Sequence, residues 1–190
     1  MRAEQLTSAV VIGGSAGSID ALNEILPPLP DGYGRAVLVV VHLGRRDDSL
    51  LPQLFASKCR LITKEAEDKE PVSAGTIYFA PPDYHLLVER NGRLSLSSAE
   101  PVQFSRPSID VMFETAAEAF GERLIGVVLS GASRDGARGL AAVAEAGGET
   151  FVQQVASAEH AVMPQAALEA TPGARELALA DIAAYLRAHG

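Results

Sequence analysis

The chain of 190 residues has no tryptophan, one cysteine, four histidines, and fewer basic than acidic side chains, 16 against 24. Each scarcity removes a class of protein. With Cys59 alone there is neither an internal disulfide nor a cysteine-based zinc site, which fits a reducing cytoplasm. The four histidines stand at no metal-ligand spacing, so no metal is expected. A formal net charge of −8 argues against a nucleic-acid binder, which needs basic groups to displace counterions from phosphates. The opening MRAEQLTSAVVIGG carries one arginine and an apolar run too short for a signal peptide. No stretch reaches the roughly 20 apolar residues that cross a bilayer. A composition that is 47% apolar then implies a soluble cytoplasmic protein with one core, read as a single domain over 1–190.

Short β-branched runs alternate with helical patterns. The runs AVVI (9–12), AVLVVVH (36–42), LIGVVLS (124–130) and ETFVQ (149–153) read as buried strands. Helix patterns cover 18–26, 49–57, 108–120, 136–146, 164–170 and 176–187, and Ser108 after Pro107 marks one helix start. The alternation predicts an α/β fold: a doubly wound, mostly parallel sheet with helices on both faces. Residues 75–98 break the rhythm and read as consecutive strands, with Asn91-Gly92 as a two-residue turn. They predict an antiparallel hairpin excursion at one edge of the sheet.

The segment VVIGGSAGSIDAL (10–22) places glycines and a serine between a strand and a helix. A dinucleotide loop needs G-x-G-x-x-G, and Gly13-Gly14-Ser15-Ala16-Gly17-Ser18 lacks glycine at the third and sixth places. No Gly-Lys-Ser/Thr follows, so it is not a P-loop either, and no cofactor is expected. Gly13 to Gly17 does fit G-x-S-x-G, a turn that exposes a serine hydroxyl and offers backbone N–H groups to an oxyanion. An ordinary strand-to-helix turn would look the same. His42 ends the run 36–42, and Asp135 lies just beyond the run 124–130. Ser15, His42 and Asp135 thus each occupy the carboxyl end of a different predicted parallel strand, where open sheets place their sites. A serine nucleophile needs a base, and the base an acceptor that sets its tautomer. The chain order Ser, His, Asp differs from that of α/β-hydrolases. His85, His160 and His189 follow no parallel strand; His85 reads as facing a surface.

These segments resemble the catalytic domain of the chemotaxis protein-glutamate methylesterases. The likeness rests on VVIGGSAGSIDAL, on VVVHLG (39–44), on LSGASRDGA (129–137), and on YFAPPDYHLLV (78–88), RPSIDVMF (106–113) and MPQAA (163–167). It runs from about Ser8 to Leu168. The resemblance implies hydrolysis of glutamyl γ-methyl esters on the cytoplasmic helices of a membrane chemoreceptor, with release of methanol, and deamidation of glutamine by the same acyl chemistry. Ser15 would be the nucleophile, His42 the general base and acid, and Asp135 the group that orients His42. Gly14, Ala16 and Ala132 would line the oxyanion pocket, and Arg106, Arg45 and Met163 would meet substrate. The family usually has Thr at the place of Ala16, Met-Gly at Ala132-Ser133 and Met-Pro at Leu43-Gly44. One lost oxyanion donor costs about 100- to 1000-fold in rate, so reduced or retuned activity is expected. Many members also carry a receiver domain before the catalytic one; Met1 favours a stand-alone chain here. The alternatives are a serine hydrolase for another ester and a non-catalytic receptor-binding module of the same fold.

Overall fold

The apolar runs become neighbouring strands because each can bury both of its faces. A computed structural model describes residues 8–42 and 50–190. In chain order the elements are β1 (Ser8–Gly14), α1 (Ser18–Ile25), β2 (Arg35–Val41), α2 (Leu51–Ala56), β3 (Ile62–Glu65), β4 (Thr76–Phe79), β5 (His85–Val88), β6 (Leu94–Ser97), α3 (Ile109–Phe120), β7 (Leu124–Val128), α4 (Ala137–Glu145), β8 (Glu149–Gln153), α5 (Val162–Ala170), β9 (Arg175–Leu177) and α6 (Leu179–Ala188). Seven strands form one sheet in the order β3-β4-β2-β1-β7-β8-β9. All of its pairings are parallel.

Alternate residues of the central strands feed two cores. Ala9, Val11, Leu38 and Val40 pack with Met112 and Phe113 of α3, Leu140 of α4 and Met163 of α5. Val10, Ile12, Val37 and Val39 pack on the other side with Leu22 and Ile25 of α1, Phe55 of α2 and Ile182 of α6. Strand order reverses around β1, since the chain fills the sheet first toward β3 and then toward β9. The carboxyl ends of β1, β2 and β7 therefore border the crevice where such sheets bind ligands.

The segment 75–98 departs from the sequence expectation. Its first strand, β4, is not part of an edge excursion; it lies inside the main sheet, parallel to β2 and β3. All four of its residues, TIYF, are buried, and so short an apolar run has no period that separates a parallel strand from a hairpin arm. Only β5 and β6 are antiparallel, and they form a separate two-stranded sheet. It is tied to α3 by the Val88 N–H, which donates to Thr115 Oγ1 at 3.1 Å. The turn is one residue longer than expected. The Gly92 N–H closes it on Glu89 O at 2.8 Å, with Gly92 in the left-handed region at φ 78°. The edge strands β3 and β9 have no counterpart in the sequence reading, and β9 takes the start of the helix predicted over 176–187.

Candidate active site

Two glycines set the turn that carries Ser15. A Cβ on Gly14 would lie 2.4 Å from Ser18 Cβ, so glycine lets α1 begin directly against the end of β1. Gly17 stands at φ 78°, which ends the turn without the strain a side chain would bring. Ser15 is held through its backbone: its N–H donates to Ser130 O at 2.9 Å, and its carbonyl accepts from Ser18 N at 3.0 Å and Ser18 Oγ at 2.6 Å. Next to it, the His42 N–H donates to Gly14 O at 3.1 Å, extending the β1–β2 ladder into the site. Ser15 and His42 therefore begin from adjoining strand ends.

The His42 ring reaches the third expected residue, with Nε2 2.8 Å from Asp135 Oδ2. Asp135 is fully buried and also accepts from the Ile109 N–H (2.7 Å), the Asp110 N–H (3.0 Å) and Ser108 Oγ (2.9 Å). Burial pushes its pKa up, but hydrogen bonds from His42, Asp110 N–H and Ile109 N–H outweigh it and hold the carboxyl below its ordinary value. It is thus an anion at the start of α3, where the helix dipole favours one. An ionised Asp135 can only accept, so His42 donates its Nε2–H hydrogen bond to it. That tautomer leaves Nδ1 as the lone-pair nitrogen of His42.

The partner carboxylate is Asp110, which the helix pattern from Ser108 places in a first turn, where the dipole favours an acid; its contacts across to α4 were in no local pattern. It too is fully buried, and its Oδ1 accepts from Gly136 N–H (2.9 Å) and Gly139 N–H (2.7 Å) while Oδ2 accepts from Gln103 Nε2 (2.8 Å). The two aspartates cap each other's helices: Asp135, just before α4, satisfies the first amides of α3, and Asp110, in the first turn of α3, satisfies those of α4. Burial and the charge of Asp135 raise the pKa of Asp110 against the pull of its donors. Asp110→Ala leaves two buried N–H groups without an acceptor and should cost about 2–4 kcal/mol of stability. Urea denaturation at neutral pH will measure this, and Asp110→Asn, which keeps an acceptor oxygen for both N–H groups, should recover most of the lost stability.

Other expected residues are placed differently. Ala16 is exposed beside Ser15, and its carbonyl accepts from Ser130 Oγ at 2.8 Å. Ala132 is exposed on the loop before Asp135. Met163 is fully buried and packs beneath Gly131, where a Cβ would lie 2.6 Å from its Cε. It supports that loop from below and does not face substrate. Arg106 does not stand free either. Its guanidinium donates twice to Asp83 Oδ1, at 3.0 and 2.7 Å, and to the carbonyls of Ser98 and Ala99 at 2.8 and 3.0 Å. It fastens two loops together. Arg45 and the neighbouring Leu43, Gly44 and Arg46 lie outside the described residues. His85 is buried rather than surface-facing: its Nδ1 accepts from the Ser108 N–H at 3.1 Å and its Nε2 lies 3.0 Å from Glu100 O. It braces the start of α3 behind Asp135, a role for which its strand alternation held no signal. Among the described residues no cluster of metal-binding side chains occurs.

Known proteins share the sequence pattern and the fold. The profile of the family described as CheB methylesterase matches residues 10–186. A Leptospira interrogans protein, provisionally named protein-glutamate methylesterase/protein-glutamine glutaminase, is 48% identical over 175 residues, 92% of this chain and 91% of its own. A Chromohalobacter salexigens protein-glutamate methylesterase/protein-glutamine glutaminase is 37% identical over 180 residues, 93% of this chain but 51% of the longer relative. The crystal structure of the Thermotoga maritima CheB methylesterase catalytic domain superposes with a TM-score of 0.91 at 30% identity, covering 97% of this chain and 99% of that one. With the match running nearly end to end in both sequence and fold, the chain belongs to the CheB methylesterase family.

Proposed function

We propose that this chain hydrolyses γ-methyl esters of glutamyl side chains on the cytoplasmic helices of a chemoreceptor, and deamidates glutamine there, with Ser15, His42 and Asp135 as its catalytic triad. The observation that carries the reading is the 2.8 Å contact between His42 Nε2 and the buried, anionic Asp135 at the same sheet rim as Ser15. A histidine so anchored presents Nδ1 as a base. Ser15 Oγ attacks the ester carbonyl as Nδ1 takes its proton. The tetrahedral intermediate collapses when His42 returns that proton to the departing methoxide, and methanol leaves. Water, deprotonated by His42, then attacks the acyl-enzyme, and His42 returns that proton to Ser15 Oγ as the glutamate is freed. Asp135 stabilises the imidazolium in both halves.

Ser15's own N–H is bound to Ser130 O and is not free for the oxyanion. The donor in such turns is the N–H of the following residue, here Ala16, aided by the positive end of α1. Ala16 therefore contributes by its backbone, whatever its side chain lacks. The test is methanol release from a receptor fragment methylated on its glutamates. Release above the rate without enzyme is expected, and a glutamine-bearing fragment should release ammonia. No methanol above background overturns the reading.

A further inference from the structure

Ten residues of the chain are Phe or Tyr. Five of the six phenylalanines are buried, whereas Phe104 is fully exposed. Its position is not that of a loose loop. Val102 and Ser105 exchange both backbone hydrogen bonds, at 3.1 and 2.9 Å, around Gln103 and Phe104. Both central residues are left-handed, at φ 47° and 65°, a turn normally built from Asn and Gly because side chains strain there. A second exposed aromatic, Tyr84, follows Asp83, which is also left-handed at φ 62°. Arg106, one residue past the Phe104 turn, binds Asp83 Oδ1. The two aromatics therefore stand on loops that one guanidinium clamps together.

Both are close to the catalytic rim by short hydrogen-bonded routes. Gln103, beside Phe104, donates to Asp110, whose N–H binds Asp135. His85, beside Tyr84, accepts from the N–H of Ser108, whose hydroxyl binds Asp135. The chain carries a formal charge of −8, so a glutamate-bearing helix gains nothing from its overall field. Arg106, one of the two basic groups expected to meet it, is bound internally. Apolar contact is what this edge offers such a helix, and exposed aromatic anchors are the side chains that dominate binding energy.

We propose that Phe104 and Tyr84 form a rigid aromatic edge that grips apolar side chains flanking the reacting glutamyl ester on the substrate helix. The inference rests on the methylesterase reading and adds the docking contact to it. Phe104 acts on binding and leaves the bond-breaking step to the triad.

Steady-state methanol release from a methylated receptor fragment tests it, with fluorophosphonate labelling of Ser15 as the companion readout, since labelling needs no docked helix. Phe104→Ser should raise KM about tenfold or more, with kcat and the labelling rate within about twofold of native. Phe104→Leu should recover most of the affinity, and Tyr84→Ala should shift KM in the same direction. An unchanged KM in Phe104→Ser, with the native chain active, overturns the inference alone. So does a parallel loss of labelling, which would make the turn structural. No methanol from the native chain overturns this inference together with the function beneath it.

Discussion

Ser15→Ala is expected to lower methanol release from a methylated receptor fragment by about 10⁴-fold or more, the scale on which triad nucleophiles matter. The fold should not register the change. The turn is held by Ser15's backbone, through Ser130 O, Ser18 N–H and Ser18 Oγ, and alanine keeps each of those bonds. The thermal midpoint should therefore match that of the native chain. A fluorophosphonate probe should label the native protein and leave the variant unlabelled. A variant that releases methanol at the native rate would remove Ser15 from the chemistry. Retained labelling would place the reactive hydroxyl elsewhere.

Asp135→Asn should cost about 10⁴-fold in rate, and its physical cause differs. An amide has one accepting oxygen and a donating nitrogen, while Asp135 is surrounded by four donors: His42 Nε2, Ser108 Oγ, Ile109 N–H and Asp110 N–H. With the oxygen kept toward the Asp110 N–H and Ser108 Oγ, the NH₂ group takes the place of Oδ2, meets the Ile109 N–H without accepting it, and faces His42, forcing Nε2 to accept. The ring proton then moves to Nδ1, the nitrogen that must take the serine's proton. His42 keeps its place but loses its basic side. The carboxylate also stabilises the fold. Its folded pKa lies below the unfolded value of about 3.9, so its contribution is present above that value and fades as pH falls through the folded one. The variant should be less stable at neutral pH and lose less on acidification. Equal activity, or an unchanged acid dependence, would contradict this account.

What could be read from the sequence was what one strand or one turn decides alone. The central strands bury both faces and so appear as unbroken apolar runs, and residues closing such runs fall on one rim. Ser15, His42 and Asp135 were visible on that ground. The G-x-S-x-G spacing showed the turn, though not that Ser15 N–H would be bound to Ser130 O. The rest depends on how separate segments approach. The β4 run was misplaced because four apolar residues fit a hairpin arm as well as a parallel strand. His85 and Met163 became interior when α3 and the Gly131 loop packed over them, an event written in no local pattern. Arg106 looked like a free cation because Asp83, its partner, lies 23 residues away. Asp110 was legible as a first-turn acid, but its service to α4 exists only once the two helices meet.

The exchange of caps between α3 and α4 has a consequence for His42. Asp135 cannot be seated until α3 offers its first amides, and α3 is not secured until α4 receives Asp110. The carboxylate that orients His42 is thus in place only where both helices are packed together. A chain in which α3 and α4 have come apart keeps Ser15 and His42 but loses the carboxylate that orients the ring. The orientation of one imidazole is thereby tied to the packing of two helices that lie far from it along the chain.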